Sequence, residues 1–389
     1  MSDIIGIRRF DLLPVYTLRE LVIYFLKLGT WGFGGPVALV GYMHRDLVEN
    51  KKWISEEEYK DGLALAQLAP GPLAAQLSIY IGYVHFRLLG ATLAGLSFVL
   101  PSFLMVLGIG YAYVSFGGLP WIQAIFYGVG AAVIGIIAIG SYKLTVKNIN
   151  KDKLLRAIFF IVALTTAITE QEILWIILLA GVAVWLYKSP PKLLGSKIRA
   201  ATPVFLVELF PAVLESKLLQ IAWFFTKAGA FVFGSGLAIV PFLYGGVVKE
   251  YHWLSEQQFM DAVAVAMITP GPIVITVGFI GYIIAGVPGA CVAAVATFLP
   301  CYLFTVIPAP YFKKYGKHPA LKAFVEGITV AAIGAIAGAV IVLARRTLAD
   351  LPTIAIAGCT IFILFKTKIK EPVVILIAAL VGILMKTIL

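Results

Sequence analysis

Charge is what this chain has least of. Of its 389 residues 13% are Asp, Glu, Lys or Arg and 61% are hydrophobic, against about 25% charged in an average soluble domain. A soluble fold this apolar would have no polar coat, so a mean hydropathy of +0.96 excludes the ordinary soluble classes and points to a multi-pass protein of the cytoplasmic membrane. Cysteine is nearly absent. Cys291, Cys301 and Cys359 stand singly, an odd count without ligand spacing, which excludes a disulfide framework and a thiolate metal site. They read as small apolar residues. The histidines His44, His85, His252 and His318 form no ligand cluster, and no glycine-rich nucleotide motif lies between a strand and a helix. A membrane-embedded enzyme or a self-contained ATP-driven pump therefore has no support, and no cofactor or metal is expected. Met1 to Arg19 carry Asp3, Arg8, Arg9 and Asp11 and lack an apolar core with a cleavage site, so no removable signal is expected. A formal charge of +11 could suggest nucleic acid. The bases collect instead in gaps between apolar spans, as cytoplasmic loops do, and no nucleic-acid partner is expected.

What the chain does have is a repeat. Pro70-Gly71-Pro72 and Pro270-Gly271-Pro272 stand 200 residues apart, and the same register superimposes Phe25 on Phe225, Lys27 on Lys227, Gly29 on Gly229, Trp53 on Trp253 and Asp61 on Asp261. After a one-residue gap, Gly82-Tyr83 matches Gly281-Tyr282, Pro101 matches Pro300 and Gly135 matches Gly334. Oily composition does not align charged, aromatic and helix-breaking residues by chance. The reading is an N-terminal repeat over 1–188, a linker over 189–216 and a C-terminal repeat over 217–389.

Each repeat is expected to be all-α, with apolar segments over 20–44, 57–69, 72–87, 89–114, 120–142, 154–168 and 173–187, and their second-half equivalents. The pieces beside Pro-Gly-Pro are half-spans, since 13 residues of helix cover about 20 Å of a ~30 Å hydrocarbon slab. Either one broken helix crosses the bilayer or a re-entrant hairpin carries Pro-Gly-Pro at its tip. Loop charge decides. Lys143, Lys147, Lys151, Lys153 and Arg156 mark one cytoplasmic loop, and Lys188, Lys192, Lys197 and Arg199 mark another, with Glu170 and Glu172 in the turn between them. Lys313, Lys314, Lys317 and Lys322, then Lys366, Lys368 and Lys370, fall on the same side only with five crossings and a re-entrant hairpin per half, the second half inverted. Arg345-Arg346 and Arg8-Arg9 run against this assignment.

Inverted repeats with discontinuous helices place a substrate at mid-membrane, and the half-helix ends here suit an anion. Pro72 and Pro272 fit a first helical position. The opening segments are also interrupted, at Gly34, Gly35 and Pro36 after Gly32-Phe33, and at Gly234, Ser235 and Gly236, where backbone N–H groups can approach an ion. Lys27 and Lys227 lie a turn or two before these breaks, within the hydrocarbon zone by hydropathy. An intramembrane lysine is costly enough to expect a polar cavity around it. Gln67 could donate to an oxyanion, although Met267 holds the matching position. Asp61 and Asp261 are candidates for proton coupling, with helix capping as the plainer account. His85, Arg87 and His252 read as interfacial loop residues.

At these residues the chain resembles the chromate transporter family of membrane oxyanion carriers, in its long two-domain form. The resemblance rests on Phe25, Gly29, Phe33-Gly34-Gly35-Pro36, Gln67-Leu68-Ala69-Pro70-Gly71-Pro72, Phe233-Gly234-Ser235-Gly236 and Thr269-Pro270-Gly271-Pro272. Ser235-Gly236 departs from the Gly35-Pro36 of the first half. Membership implies export of chromate from the cytoplasm, driven by the proton motive force, with sulfate as a related or competing ion. The charge arithmetic agrees: one charge crossing 100 mV is worth about 2.3 kcal/mol, so an inside-negative potential expels a dianion with about twice that. The expected site lies between the two Pro-Gly-Pro tips, with the N–H groups of Gly71 and Gly271 and the ammonium groups of Lys27 and Lys227 around the ion. A sulfate or other oxyanion carrier, importing rather than exporting, shares every one of these features. The oligomeric state is left open, a homodimer being one option.

Overall fold

The computed structural model describes residues 16–33, 35–116, 120–149, 152–170, 174–190, 216–231, 236–312, 318–367 and 369–388. Gly34, Gly234 and Ser235 of the expected site, most of the expected linker, and Lys151, Lys192, Lys197, Arg199, Lys313, Lys314, Lys317 and Lys368 of the expected basic loops lie outside them. Within the described residues all regular structure is helical. In the first half α1 is Leu18–Trp31, α2 is Gly35–Met43 running on as a wider π-type turn to Asn50, α3 is Glu56–Leu68, α4 is Leu73–Phe116, α5 is Pro120–Asn148, α6 is Lys153–Thr169 and α7 is Leu174–Lys188. In the second half α8 is Lys217–Phe231, α9 is Ile239–Leu243 running on to Glu250, α10 is Glu256–Ile268, α11 is Thr276–Val306, α12 is Pro319–Thr347, α13 is Leu351–Lys366 and α14 is Glu371–Ile388.

The two halves repeat each other down to their caps. Ser55 and Glu58 form a reciprocal capping box that starts α3, and Ser255 and Gln258 form its counterpart on α10. Just before each box the chain turns at Lys52 and His252, with φ of 53° and 49°. Both copies then donate the tryptophan amide to the preceding helix, Trp53 N to Leu47 O and Trp253 N to Val247 O, each at 2.8 Å.

The breaks make hairpins. The Tyr16 ring stacks on Trp53 at 4.6 Å, so α1 and α2 lie side by side with the Gly32–Gly35 break at their far end. Next to them Glu58 meets His85 at 3.5 Å and Gly62 packs against the Tyr80 ring, so α3 runs antiparallel to the first arm of α4 with Pro-Gly-Pro at the far end. Tyr16 Oη and His85 Nδ1 share a 2.8 Å hydrogen bond that ties the two hairpin bases together. His85 is thus a structural fastener rather than a loose interfacial residue. In the second half Phe224 stacks on Phe242 at 5.3 Å and sits edge-on to Trp253, the same fold-back between α8 and α9. The expectation of five crossings per half counted the opening segment as one of them. It folds back instead, bringing Tyr16 onto Trp53.

At Arg87, φ 53° and ψ −142°, the chain reverses again and the second arm of α4 returns along the first. Gly82 and Gly90 allow the two arms to touch backbone to backbone, and Gly281 and Gly289 do so around the bend at Ala285 and Gly286. A side chain at either pair would force the arms apart.

The long helices are exchanged between halves. A Cβ on Gly135 of α5 would lie 2.9 Å from the carbonyl of Ala357 on α13, while one on Gly334 of α12 would lie 2.7 Å from that of Phe159 on α6. The rest of α5 packs on α14, and α12 packs on α6 and α7. Polar contacts mark the two ends of this bundle. At one end Lys188 pairs with Asp152 at 2.9 Å and with Glu326 at 2.8 Å; at the other Tyr127 donates to Asp350 at 2.7 Å. The hairpin bases of the first half belong to the Lys188 end, where Lys370 reaches Tyr42 at 3.3 Å. Those of the second half belong to the opposite end, where Lys249 reaches Glu170 at 2.6 Å. Apolar side chains such as Leu96, Leu104, Phe160, Leu179 and Leu376 cover the outside, and Leu73–Phe116, Trp121–Asn148, Ile273–Tyr311 and Pro319–Thr347 are long and apolar enough to cross a membrane.

Candidate functional site at the hairpin tips

Because the hairpins enter from opposite ends, their tips meet in the middle of the molecule. Gly271, at φ +92°, donates its N–H to the carbonyl of Gly32 at 3.1 Å, joining the Pro-Gly-Pro tip of the second half to the opening tip of the first. Ser102, on the second arm of α4, lies against Gly271 and donates to the carbonyl of Gly29 at 3.4 Å. Cys301 occupies the corresponding place beside Gly71, whose φ is +139°. The first tip has a brace that sequence reasoning missed. Gln76, wholly buried, donates from Nε2 to the Pro70 carbonyl at 2.7 Å, and its Oε1 has no hydrogen-bond partner among the described residues. A glutamine inside an apolar run was the signal that could have found it, since an unpaired amide there costs several kcal/mol.

A cavity of ≈ 340 Å³ opens from these tips. Its inner wall is Gly32, Phe33, Gly35 and Pro36 of one hairpin with Met267, Thr269 and Gly271 of the other; its remaining wall includes Gly140 and Lys143 of α5, Leu364 of α13 and Glu371 of α14. Lys143 and Glu371 belong to the Lys188 end of the bundle, so the cavity runs from the centre toward that end.

Several expected site residues therefore converge. Gly35, Pro36 and Gly271 line the cavity, Gly236 packs against Ile273 of its wall, and Pro270 and Pro272 are buried beside it. Pro70, Gly71 and Pro72 form the neighbouring tip. Two details differ from expectation: Pro72 and Pro272 precede their helices rather than starting them, and the Gly271 N–H is held by Gly32 rather than open to a ligand. Lys27 and Lys227 are not brought together. Lys27 faces a separate groove, and Lys227 lies 5.7 Å from the Trp223 ring on its own helix. Gln67 is exposed, away from the cavity lining. Asp261 is buried and accepts hydrogen bonds from Tyr113 Oη and Gln257 Nε2, both at 2.8 Å; Asp61 is half-buried one turn from the matching base of α3. The loop-charge pattern marks Lys143 only as a loop base, whereas it lines the cavity. Its place three residues after Gly140, at the end of an apolar run, was the sequence signal for a cation reaching inward.

The opposite end is closed by charge. Glu170, in the turn between α6 and α7, binds Lys249 and Arg346, and Arg346 also binds Glu256. Tyr244 lies under both cations, 5.8 Å from Lys249 and 5.9 Å from Arg346, and donates to Glu256 at 3.3 Å. The Arg346 guanidinium and then Lys249 hold the Glu170 carboxyl down to about 2. Arg346 is thus neutralised locally, which accounts for a base of the Arg345-Arg346 pair standing against the loop-charge assignment.

The family model described as Chromate transporter matches residues 19–185 and 219–383. The chain is 69% identical over 348 residues to a chromate transport protein of Cupriavidus metallidurans, covering 88% of this chain and 87% of that protein. It is 64% identical over 348 residues to a probable chromate transport protein of Synechococcus elongatus, covering 88% of each. A chromate transport protein of Pseudomonas aeruginosa is 30% identical over 358 residues, covering 88% of this chain and 85% of that protein. No solved structure matches the chain.

Proposed function

Since the chain belongs to the chromate transporter family, we propose that this membrane protein carries chromate out of the cell by alternating access, and that its structure is the state open to the cytoplasm. The observation that carries this reading is the difference between the two ends. The tip cavity reaches Lys143 and Glu371 at one end, while Glu170, Lys249, Glu256 and Arg346 close the other. Lys143, Lys147, Lys153, Arg156, Lys188, Lys322, Lys366 and Lys370 crowd the open end, which the positive-inside rule assigns to the cytoplasm.

In the bilayer each half then contributes two re-entrant hairpins and its long helices, and the hairpins of the second half enter from the side opposite those of the first. A dianion enters past Lys143, whose charge offsets part of its desolvation, and rests against Gly35, Pro36 and Gly271 with Gly71 nearby. Lys227 and Gln67 meet the ion only in another stage of the cycle. Movement of the hairpins against the exchanged long helices closes the cytoplasmic end and opens the other.

Asp261 and Asp61 are the coupling groups, exchanging protons against the ion. Asp261→Asn keeps the Tyr113 contact and cannot ionise. The expected outcome is loss of stimulation by an imposed pH gradient with potential-driven flux retained; unchanged pH-gradient stimulation would remove Asp261 from the coupling path.

The direct test is chromate flux in proteoliposomes under an imposed potential, with sulfate as competitor. Saturable flux that follows the potential as a dianion's does, and that sulfate suppresses, is expected. Flux that never saturates would indicate a pore, and no flux under either sign of potential or pH gradient would remove chromate as the cargo.

A further inference from the structure

The repeat is symmetric in backbone and asymmetric in charge. The cleft between α1 and α2 forms a groove of ≈ 550 Å³ whose lining includes Lys27, Arg45 and Lys51 against one carboxylate, Asp46. It runs from Lys51, 4.4 Å from the Trp53 ring at the hairpin base, toward Gly32, which also lines the tip cavity. Lys27 is exposed within the groove. Arg45 gives one N–H to Asp46 at 3.0 Å and keeps 56% of its side chain exposed, leaving further donors for a ligand.

The second half keeps little of this. At the positions of Arg45, Asp46 and Lys51 stand Gly245, Gly246 and Tyr251, and at that of Lys143 stands Val342. The space itself is filled, since the Phe224 ring presses onto Gly246 and stacks on Phe242. Of the four cations on the cytoplasmic side only Lys227 survives in the counterpart.

We infer that the Lys27–Arg45–Lys51 groove is a second anion site, one that captures a tetrahedral dianion at the cytoplasmic end before it passes Gly32 into the tip cavity. The inference rests on the oxyanion-transport reading. Three cations spaced along a cleft with low-dielectric walls raise the local concentration of a dianion, and the attraction is screened by salt. With no equivalent at the other end, the ion is gathered on the side it leaves and not held on the side it reaches. A lipid headgroup phosphate shares the chemistry, and the test separates the two sources.

The test is the double variant Arg45→Gln, Lys51→Gln, with chromate offered to one face at a time. At about 50 mM salt the KM from the cytoplasmic face is expected to rise about five- to tenfold with kcat unchanged, and the difference to shrink below about twofold at 0.5 M salt. KM from the other face stays as it was. An unchanged cytoplasmic KM, or an equal rise from both faces, overturns the capture site. Vesicles of neutral lipid alone must give the same rise; an effect confined to vesicles containing anionic lipid assigns the groove to a headgroup and overturns it too. If the unsubstituted protein moves no chromate, the transport reading fails separately. The groove is then read by the chromate binding isotherm of the purified protein, in which the double variant must lose one of two sites for the inference to stand.

Discussion

Replacing Arg346 by Gln is expected to weaken chromate binding from the cytoplasmic face about tenfold, and to expose the tip cavity to the opposite face. Arg346 binds both Glu170 and Glu256 directly, alongside Lys249 at 2.6 Å and 3.9 Å, and through them joins the α6–α7 turn, the end of α12 and the base of the α10 hairpin. Without it two carboxylates face each other with Lys249 alone between them. Each ion pair is partly exposed and contributes only about 0.2–1 kcal/mol, but the cluster acts on one equilibrium. A shift of about 1.4 kcal/mol between the two conformations lowers the population of the cytoplasm-open state, and the apparent affinity with it, by up to a factor of ten. The measurement is chromate binding from each face in oriented vesicles. A charge swap, Arg346→Glu with Glu170→Arg, is expected to recover part of the loss; equal weakening from both faces would mean damage to the fold rather than to a latch. The sign of the pH dependence is fixed. Glu170 is held below its ordinary range, so its pairing is complete above that range and is lost only as pH falls toward 2. Between pH 5 and 9 Glu170 stays ionised, and any pH dependence of flux in that window arises from other groups. The pseudo-symmetric positions, Lys147 and Glu56, have no such bond here, because Glu56 is engaged by His44 at 2.8 Å and Lys60 at 3.1 Å.

Gly271→Ala is expected to reduce flux at least a hundredfold. Gly271 sits at φ +92°, where an L side chain is strained by about 1–3 kcal/mol, and a Cβ there would collide with Ser102 Oγ. Relief by backbone shift would break the bond from its N–H to Gly32, the only backbone hydrogen bond among the described residues that joins a Pro-Gly-Pro tip to the other half. The double variant with Ser102→Ala removes the collision but not the dihedral strain, so partial recovery is expected. Gly71→Ala meets Gln76 at 2.8 Å and Cys301 at 3.0 Å, softer side-chain neighbours, and is expected to cost less. Equal flux in Gly271→Ala and the unsubstituted protein, measured per folded molecule, would remove the tip contact from the transport cycle.

The sequence exposed the repeat, the breaks and the helix limits because these depend on local chemistry: Ser55 and Ser255 begin helices, and Gly-Pro runs end them. It did not expose that the opening segment of each half also folds back. A half-span before a break looks the same whether the next piece continues or returns, and only the contact of Tyr16 with Trp53 distinguishes the two. For the site, glycine and proline positions were legible because few residues can hold those tips. Lysine roles were not. A long flexible stem lets Lys27 turn into its own groove and Lys143 reach the cavity from the end of α5, and hydropathy records neither direction. The exchange of α5 and α12 left no trace in either half alone, because each helix is apolar on every face.

That exchange bears on how the molecule comes into being. Helix α5 leaves the ribosome long before α13 and α14, the helices it is packed against, have been made. Its small-residue seam at Gly128 and Gly135 must wait in lipid through most of synthesis, and α6 and α7 wait likewise for α12. Completion is therefore a late, all-at-once event that closes when the last helix arrives, and truncation near the C-terminus strips partners from the half synthesised first.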